Sequence, residues 1–181
     1  MDQERAWIEQ ALRGDRAAFG QLIRAYERPV YNLAYRMLGD VAEAEDAAQE
    51  TFLRAYTKLA TYQPERKFVN WLLSIASHHC IDRLRRKGRA PQLSLDGPLP
   101  PQWLTSDVPL PDQVVTKKQQ REQVRQSLGA LPPTYRAAIV LRYWYNMSYR
   151  EIAGVMDTTE SAIKSRLHRA RRMLAQQLQA A

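Results

Sequence analysis

Six polar side chains at helical spacing, Ser161, Lys164, Ser165, His168, Arg169 and Arg172, form the densest group in the chain equipped for molecular recognition. At about 100° per residue they share one side of a helix, opposite Ile163, Leu167, Ala170 and Leu174. Hydroxyl, imidazole, ammonium and guanidinium groups on one face suit the base edges and phosphates of a major groove; the plainer reading is the solvated face of a helical hairpin. A second group mixes rings with cations. Tyr62, Arg66 and Lys67 fall in a loop, Trp71, Ser74, His78 and Arg85 share the flank of a following helix, and the run from Arg83 to Arg89 includes Arg85 and Arg86. Bases stack on rings while phosphates meet Lys and Arg, so this composition suits single-stranded nucleic acid. It also suits a half-buried Trp beside a solvated basic helix end. A third group is acidic: Glu43, Glu45, Asp46, Gln49 and Glu50 crowd the start of a helix. There they either favour the helix dipole or form a surface for docking a protein.

Reaction chemistry is absent from the pattern. There is no nucleophile with a base and an orienting group, and no glycine loop to cradle phosphate, so no catalysis is expected. His78, His79 and Cys80 look like a metal cluster, but successive helical residues point about 100° apart and only His78 and Asp82 share a face. The single cysteine permits no internal disulfide, and with three histidines no structural zinc set can be assembled. No cofactor, metal or small-molecule substrate is expected.

The elements that must carry these groups are helices. Asp15 is a plausible N-cap for a helix whose apolar positions run Phe19, Leu22, Ile23, Tyr26, Leu33, Met37 and Leu38, with Pro29 to kink it and Gly39 to end it. A second helix, about 42–59, turns Ala48, Phe52, Ala55, Tyr56 and Leu59 to one side. A third, about 68–86, centres its apolar stripe on Phe68, Leu72, Ile75, Ala76 and His79. Further on, 117–130 and 134–145 read as two helices separated by Leu131-Pro132-Pro133. Ser148-Tyr149-Arg150-Glu151 is a capping box, and Asp157-Thr158-Thr159 breaks the helix it starts before another begins near Glu160 or Ser161. A small residue at Ala153, a turn at Asp157 and an apolar Ile163 have the spacing of a helix-turn-helix. The usual turn glycine is Asp157 here, a residue that tolerates the left-handed region better than most.

Charge and proline divide the 181 residues further. Residues 1–90 carry a net +3 and residues 116–181 a net +8, equal to the charge of the whole chain. A polyanion is the natural partner for the second part. Between them, residues 91–115 hold six of the ten prolines, three acids and no Lys or Arg. Such a segment is extended and semi-rigid, and at about 3.1 Å per residue it reaches up to ~75 Å. Its Trp103 and Leu104 suit either a partner's groove or the chain's own domains. The expected fold class is all-α, with two small helical domains (1–90 and 116–181) joined by a linker at 91–115. No run of about 18 uncharged apolar residues and no basic-then-apolar start is present, so the cytoplasm is expected, without membrane insertion.

Taken together, the stretches AEDAAQETFLRAY (44–56), FVNWLLSIASHHCIDRLRR (68–86), LPPTYRAAIVLRYWYNMSYREIAGVM (131–156) and IKSRLHRARRML (163–174) resemble the extracytoplasmic-function (ECF) group of sigma-70-type RNA polymerase sigma factors. The resemblance covers about 15–89 and 116–175. It implies a promoter-recognition subunit of core RNA polymerase, with the first domain of the region 2 type and the last of the region 4 type. Asp46, Gln49, Glu50 and Leu53 match the helix that meets the clamp helices of the largest subunit. Tyr62, Arg66, Lys67, Asn70, Trp71, Ser74, His78, Arg85 and Arg86 match the part that captures unpaired bases of the −10 element. Thr159, Ser161, Lys164, Ser165, His168, Arg169 and Arg172 match the reader of the −35 element. The family usually has Asn where His78 stands and a basic or polar residue at Val69. Promoter elements ~16–17 base pairs apart at ~3.4 Å each lie ~55–58 Å apart, within the linker's reach. The polymerase flap region and an anti-sigma protein are further implied partners. The alternative function is a stand-alone helix-turn-helix regulator that binds an operator as a dimer.

Overall fold

The computed structural model describes residues 2–88 and 122–180. Within them the chain is helical, with no strand: α1 (Asp2–Leu12), α2 (Arg16–Leu38), α3 (Val41–Lys58), a 3-10 turn (Leu59–Thr61), α4 (Phe68–Lys87), α5 (122–129), α6 (Pro133–Tyr143), α7 (Tyr149–Val155) and α8 (Glu160–Ala180). The proline-rich stretch 91–115, with Trp103 and Leu104, and the expected helix start at Lys117 lie outside the described residues. No described helix is long and apolar enough to cross a membrane.

Local chemistry sets the ends of these helices. The Asp15 carboxylate accepts the N–H groups of Ala17 at 2.8 Å and Ala18 at 3.2 Å, satisfying two of the donors that a helix start leaves unpaired. Gly39 ends α2 in the left-handed region at φ 76°, its N–H bonded to the Tyr35 carbonyl. Pro29 lies inside α2, which continues to Leu38. Asp40 caps α3 through the Glu43 N–H at 2.9 Å. Pro133 occupies the first turn of α6, where its missing N–H costs nothing.

Helix α2 is the central post of the N-terminal half, with α1, α3 and α4 packed around it. Leu22, Val30, Leu33 and Met37 of α2 meet Ala44, Ala47 and Ala55 of α3 and Phe68, Leu72, Leu73 and Ala76 of α4, all fully buried. The alanines let α3 approach closely, and each large side chain removed from water contributes about 1.5–3 kcal/mol. Two sequence expectations need correcting. Tyr56, expected to point inward, is 41% exposed and sets its ring edge against Phe19 at 5.0 Å. The inward side of α4 is broader than the expected stripe. Leu73, Ser77, Cys80 and Ile81 are buried too, while Ile75 and His79 are only half-buried. The cause is tertiary, because α4 is packed by α2 and α3 and also by α6 and α7 from the C-terminal half.

In that half, α7 packs on α8, with Ile152, Ala153, Ile163 and Leu167 buried. The capping box closes as expected. Ser148 N–H donates to Glu151 Oε2 at 3.0 Å, and Glu151 N–H donates to Ser148 Oγ at 3.2 Å. Asp157 makes the turn at φ 48°.

Candidate nucleic-acid and protein-docking surfaces

The acidic group of α3 separates into two roles. Asp40 is a cap, and Glu43 reaches across to α4, where it pairs with Lys87 and, at 3.8 Å, with Arg83. Those acids hold the helices in place. Asp46, Gln49 and Leu53, spaced at i, i+3 and i+7, point outward instead. Leu53 is 60% exposed, large for a leucine, and Asp46 makes only a marginal 3.5 Å pair with Arg83. Glu50 lies half-buried beside this strip, and the Arg54 guanidinium at 2.6 Å holds its carboxyl below the usual range. A polar, partly acidic strip that ends in an exposed leucine suits a protein partner with a basic rim.

The ring-and-cation group is built around Phe68. Tyr62 and Trp71 lie 5.2 and 5.5 Å from it and 5.5 Å from each other, in tilted or edge-on contacts. The Tyr62 hydroxyl donates to the Arg66 carbonyl at 2.6 Å, closing the loop so that Arg66 and Lys67 are exposed at its rim. Burial among these rings raises the Tyr62 pKa. Asn70, Trp71 and Ser74 are half-buried and line a groove of about 430 Å³ with Arg66 and Lys67. The far wall is not from this half of the chain: it is Arg150, Glu151, Gly154 and Val155 of α7.

Four expected members do not line the groove: Tyr62, held in the ring cluster beside it, and His78, Arg85 and Arg86, which stand apart. His78 is exposed, with Nδ1 donating to the Ser74 carbonyl at 2.8 Å. Arg85 and Arg86 are exposed near the other end of α4, fourteen and fifteen residues from Trp71, or roughly 21 Å at 1.5 Å per residue. Arg85 is 3.9 Å from Asp82. Cys80 is buried and its thiol pushed up to about 12 by desolvation, so it offers no reactive sulfur.

On α8 the expected face is present in full. Ser161, Lys164, Ser165, His168, Arg169 and Arg172 are all exposed, while Ile163, Leu167 and Ala170 are buried beneath them. Arg169 Nη1 donates to the Tyr135 hydroxyl of α6 at 3.4 Å. Thr159 is exposed as well, and its hydroxyl accepts the Ala162 N–H at 3.2 Å, capping α8. Sequence reasoning passed over Arg150, exposed in the first turn of α7, and over the contacts that join the two halves. The Lys67 ammonium lies 3.0 Å from Glu151, and Arg136, Tyr145 and Trp144 all touch α2. Arg150 stands beside the capping box, a local signal for it; nothing local signals the pairings between halves.

Comparison with known proteins identifies the two halves of the chain. Residues 22–90 match the profile of Sigma-70 region 2, and residues 121–174 that of Sigma-70, region 4. The chain is 36% identical over 178 residues to the ECF RNA polymerase sigma factor SigW of Bacillus subtilis, covering 94% of each. It is 30% identical over 179 residues to the ECF RNA polymerase sigma-E factor of Escherichia coli, covering 95% of this chain and 92% of that one. Among solved structures, CnrH in complex with the cytosolic domain of CnrY superimposes with a TM-score of 0.70 at 27% identity, over 99% of both chains. The sigma factor RpoE of Bartonella quintana, solved with the anti-sigma factor NepR, shares the fold with a TM-score of 0.66 over 89% of this chain and 96% of that one, at 23% identity. Kinship that extends across both halves, in the same order, leaves one assignment: the chain belongs to the ECF sigma factors of the sigma-70 family.

Proposed function

We propose that this chain docks on core RNA polymerase through the outward strip of α3 and directs initiation by reading promoter DNA at two places. In this reading residues 1–90 form a unit that binds polymerase through Asp46, Gln49, Glu50 and Leu53. Its loop and α4 groove, from Tyr62 through Ser74, accept unpaired −10 bases. Residues 116–181 read the −35 duplex through Lys164, Ser165, His168, Arg169 and Arg172, and residues 91–115 tether the two.

The observation that carries the reading is the pairing of surfaces on one chain. A recognition helix with its cations outward over buried Ile163, Leu167 and Ala170 is what any helix-turn-helix regulator needs. A lone operator-binding regulator has no use for a second, ring-based site beside an exposed acidic strip. The chain is proposed to supply specificity and no catalysis, and to act in the cytoplasm. A protein partner comparable to the one solved with CnrH belongs to the same proposal.

Run-off transcription with purified core enzyme tests it. Initiation at a defined start site only when the chain is added is the expected result; operator binding with no effect on start-site choice supports the dimeric regulator instead.

A further inference from the structure

We propose that the cleft between α2 and the turn after α6 is a binding site for a small diphosphate, held by Arg28 and Arg36 and walled by Trp144 and Tyr145. The site lies apart from the surfaces assigned above to polymerase and promoter DNA, and none of its residues serves them.

Arg28, Asn32 and Arg36 stand at i, i+4 and i+8 on α2, which puts them on one face of that helix. With Pro29, Trp144 and Tyr145 they line a cleft of about 220 Å³. At ~30 Å³ each that is room for about seven waters, below the ~300 Å³ at which pockets for drug-sized ligands begin. The occupant is therefore compact. Two contacts across the cleft fix its shape. The Tyr145 hydroxyl donates to the Pro29 carbonyl at 2.5 Å, and the Arg36 guanidinium lies 5.2 Å from the centroid of the Trp144 ring. A ligand meets walls that are already ordered, which lowers the cost of binding.

The charge of this cleft is unbalanced. Its lining offers two guanidiniums, an amide and two aromatic rings, and no carboxylate. Arg54, Arg83 and Arg125 each pair with an acid, whereas among the described residues no carboxylate pairs with Arg36. Arg136 also lacks an acid, but its guanidinium is engaged by three carbonyls; that of Arg36 donates to one, the Asn32 carbonyl at 3.1 Å. Arg36 is half-buried, and desolvation lowers its pKa. A desolvated cation without a counter-charge is costly, and an anion in the cleft offsets that cost. Guanidinium forks take phosphate oxygens two at a time. The row from Arg28 to Arg36 spans ~12 Å at 1.5 Å per residue, which suits two linked phosphate groups better than one. The Asn32 amide, midway, supplies a further donor.

Calorimetric titration of the full chain with pyrophosphate, in metal-free buffer at fixed ionic strength, tests the site. Expected is saturable binding of one pyrophosphate per chain, at least tenfold tighter than inorganic phosphate or citrate. Arg36→Gln should weaken it at least tenfold. Arg36→Lys, which keeps the charge and loses the fork, should weaken it at least threefold. Arg13→Gln removes the same charge from an exposed position outside the cleft and should change affinity less than twofold. Trp144→Phe should still bind and lose the change in tryptophan fluorescence that accompanies binding in wild type. Thermal unfolding of wild type needs no variant, and its midpoint should rise with pyrophosphate concentration, because the ligand binds only the folded chain. Any of three results overturns the proposal: no saturable binding by wild type at millimolar pyrophosphate, equal affinity for phosphate and pyrophosphate, or the same loss in Arg13→Gln as in Arg36→Gln. Displacement of pyrophosphate by a single-stranded oligonucleotide also overturns it, since the phosphates bound there would then be those of a nucleic-acid backbone.

Discussion

The Lys67 ammonium lies 3.0 Å from Glu151 Oε1, while the other oxygen of the same carboxylate accepts the N–H and the hydroxyl of Ser148, each at 3.0 Å. One side chain therefore starts the first helix of the helix-turn-helix and also ties it to a loop 84 residues upstream.

This double role has a pH signature. The Ser148 N–H first, then Lys67 and the Ser148 hydroxyl, depress the Glu151 pKa to about 2. A carboxyl with a lowered folded value stabilises the fold fully above its unfolded value, ~4.3, and loses that contribution as pH falls through the folded one. Glu151→Gln keeps a residue able to complete the capping box but carries no charge. The pair is partly exposed, so wild type should exceed the variant by about 0.5–1 kcal/mol at pH 7. Urea titrations should show that margin constant above about pH 5 and shrinking between about pH 4.5 and 3; a margin that holds at pH 3 rejects the role.

The α8 face makes a salt-dependent prediction. Arg169→Ala should weaken −35 duplex binding and lower the slope of log affinity against log salt by about 0.9, the value for one lost phosphate contact. Thr159→Ala should act differently, because its hydroxyl caps the helix. The expected result there is about 0.5–2 kcal/mol of lost stability with an unaltered salt slope. Filter binding across a salt series separates the two, and a slope unchanged in Arg169→Ala removes its phosphate role.

Helix ends were legible because their causes are local. Asp15 with Gly39, Ser148 with Glu151 and Asp157 each carry their signal within a few residues, and each does the expected job. The outward face of α8 was equally readable, since Ile163 fixes the phase of the whole helix. What could not be read depends on partners far along the chain. The division of the acidic group into Glu43, bound to α4, and Asp46, facing outward, needs α4 in place. So do the exposure of Tyr56 and the two-sided burial of α4. Helix α1 is an intermediate case. Ile8 and Ala11 are buried and Tyr26 donates to Glu4, but eleven residues offer too short a period to stand out. Pairings such as Arg136 with Met37, 99 residues apart, have no local sign at all.

Leu53 offers a test of docking free of stability effects. At 60% exposure, Leu53→Ala should change folding free energy by less than about 0.5 kcal/mol. If Leu53 is the apolar end of the polymerase-binding strip, the same change should weaken binding to core enzyme by about tenfold or more, while leaving −35 duplex affinity unchanged. Asp46→Ala with Gln49→Ala should act in the same direction. Competition for core enzyme against wild type provides the measurement, and unchanged competition by both variants places the docking surface elsewhere.

Arg136 separates stability from recognition in the opposite way. Its guanidinium is buried and desolvation lowers its pKa, yet the acceptors it reaches are all neutral carbonyls: Met37, Gly129 and Leu131. Met in its place matches the stem and leaves the buried carbonyls of Met37 and Leu131, and the part-buried one of Gly129, without this donor, so Arg136→Met should cost about 2–4 kcal/mol. Lys keeps the charge but cannot fork, and should recover only part of the loss. Gly129 and Leu131 belong to the C-terminal half and Met37 to the N-terminal half. The isolated fragment 116–181 should feel only the share from its own two carbonyls. Denaturation of the full chain and the fragment, each with and without Arg136→Met, measures the difference; an equal loss in both means that the bond to Met37 contributes nothing to holding the halves together.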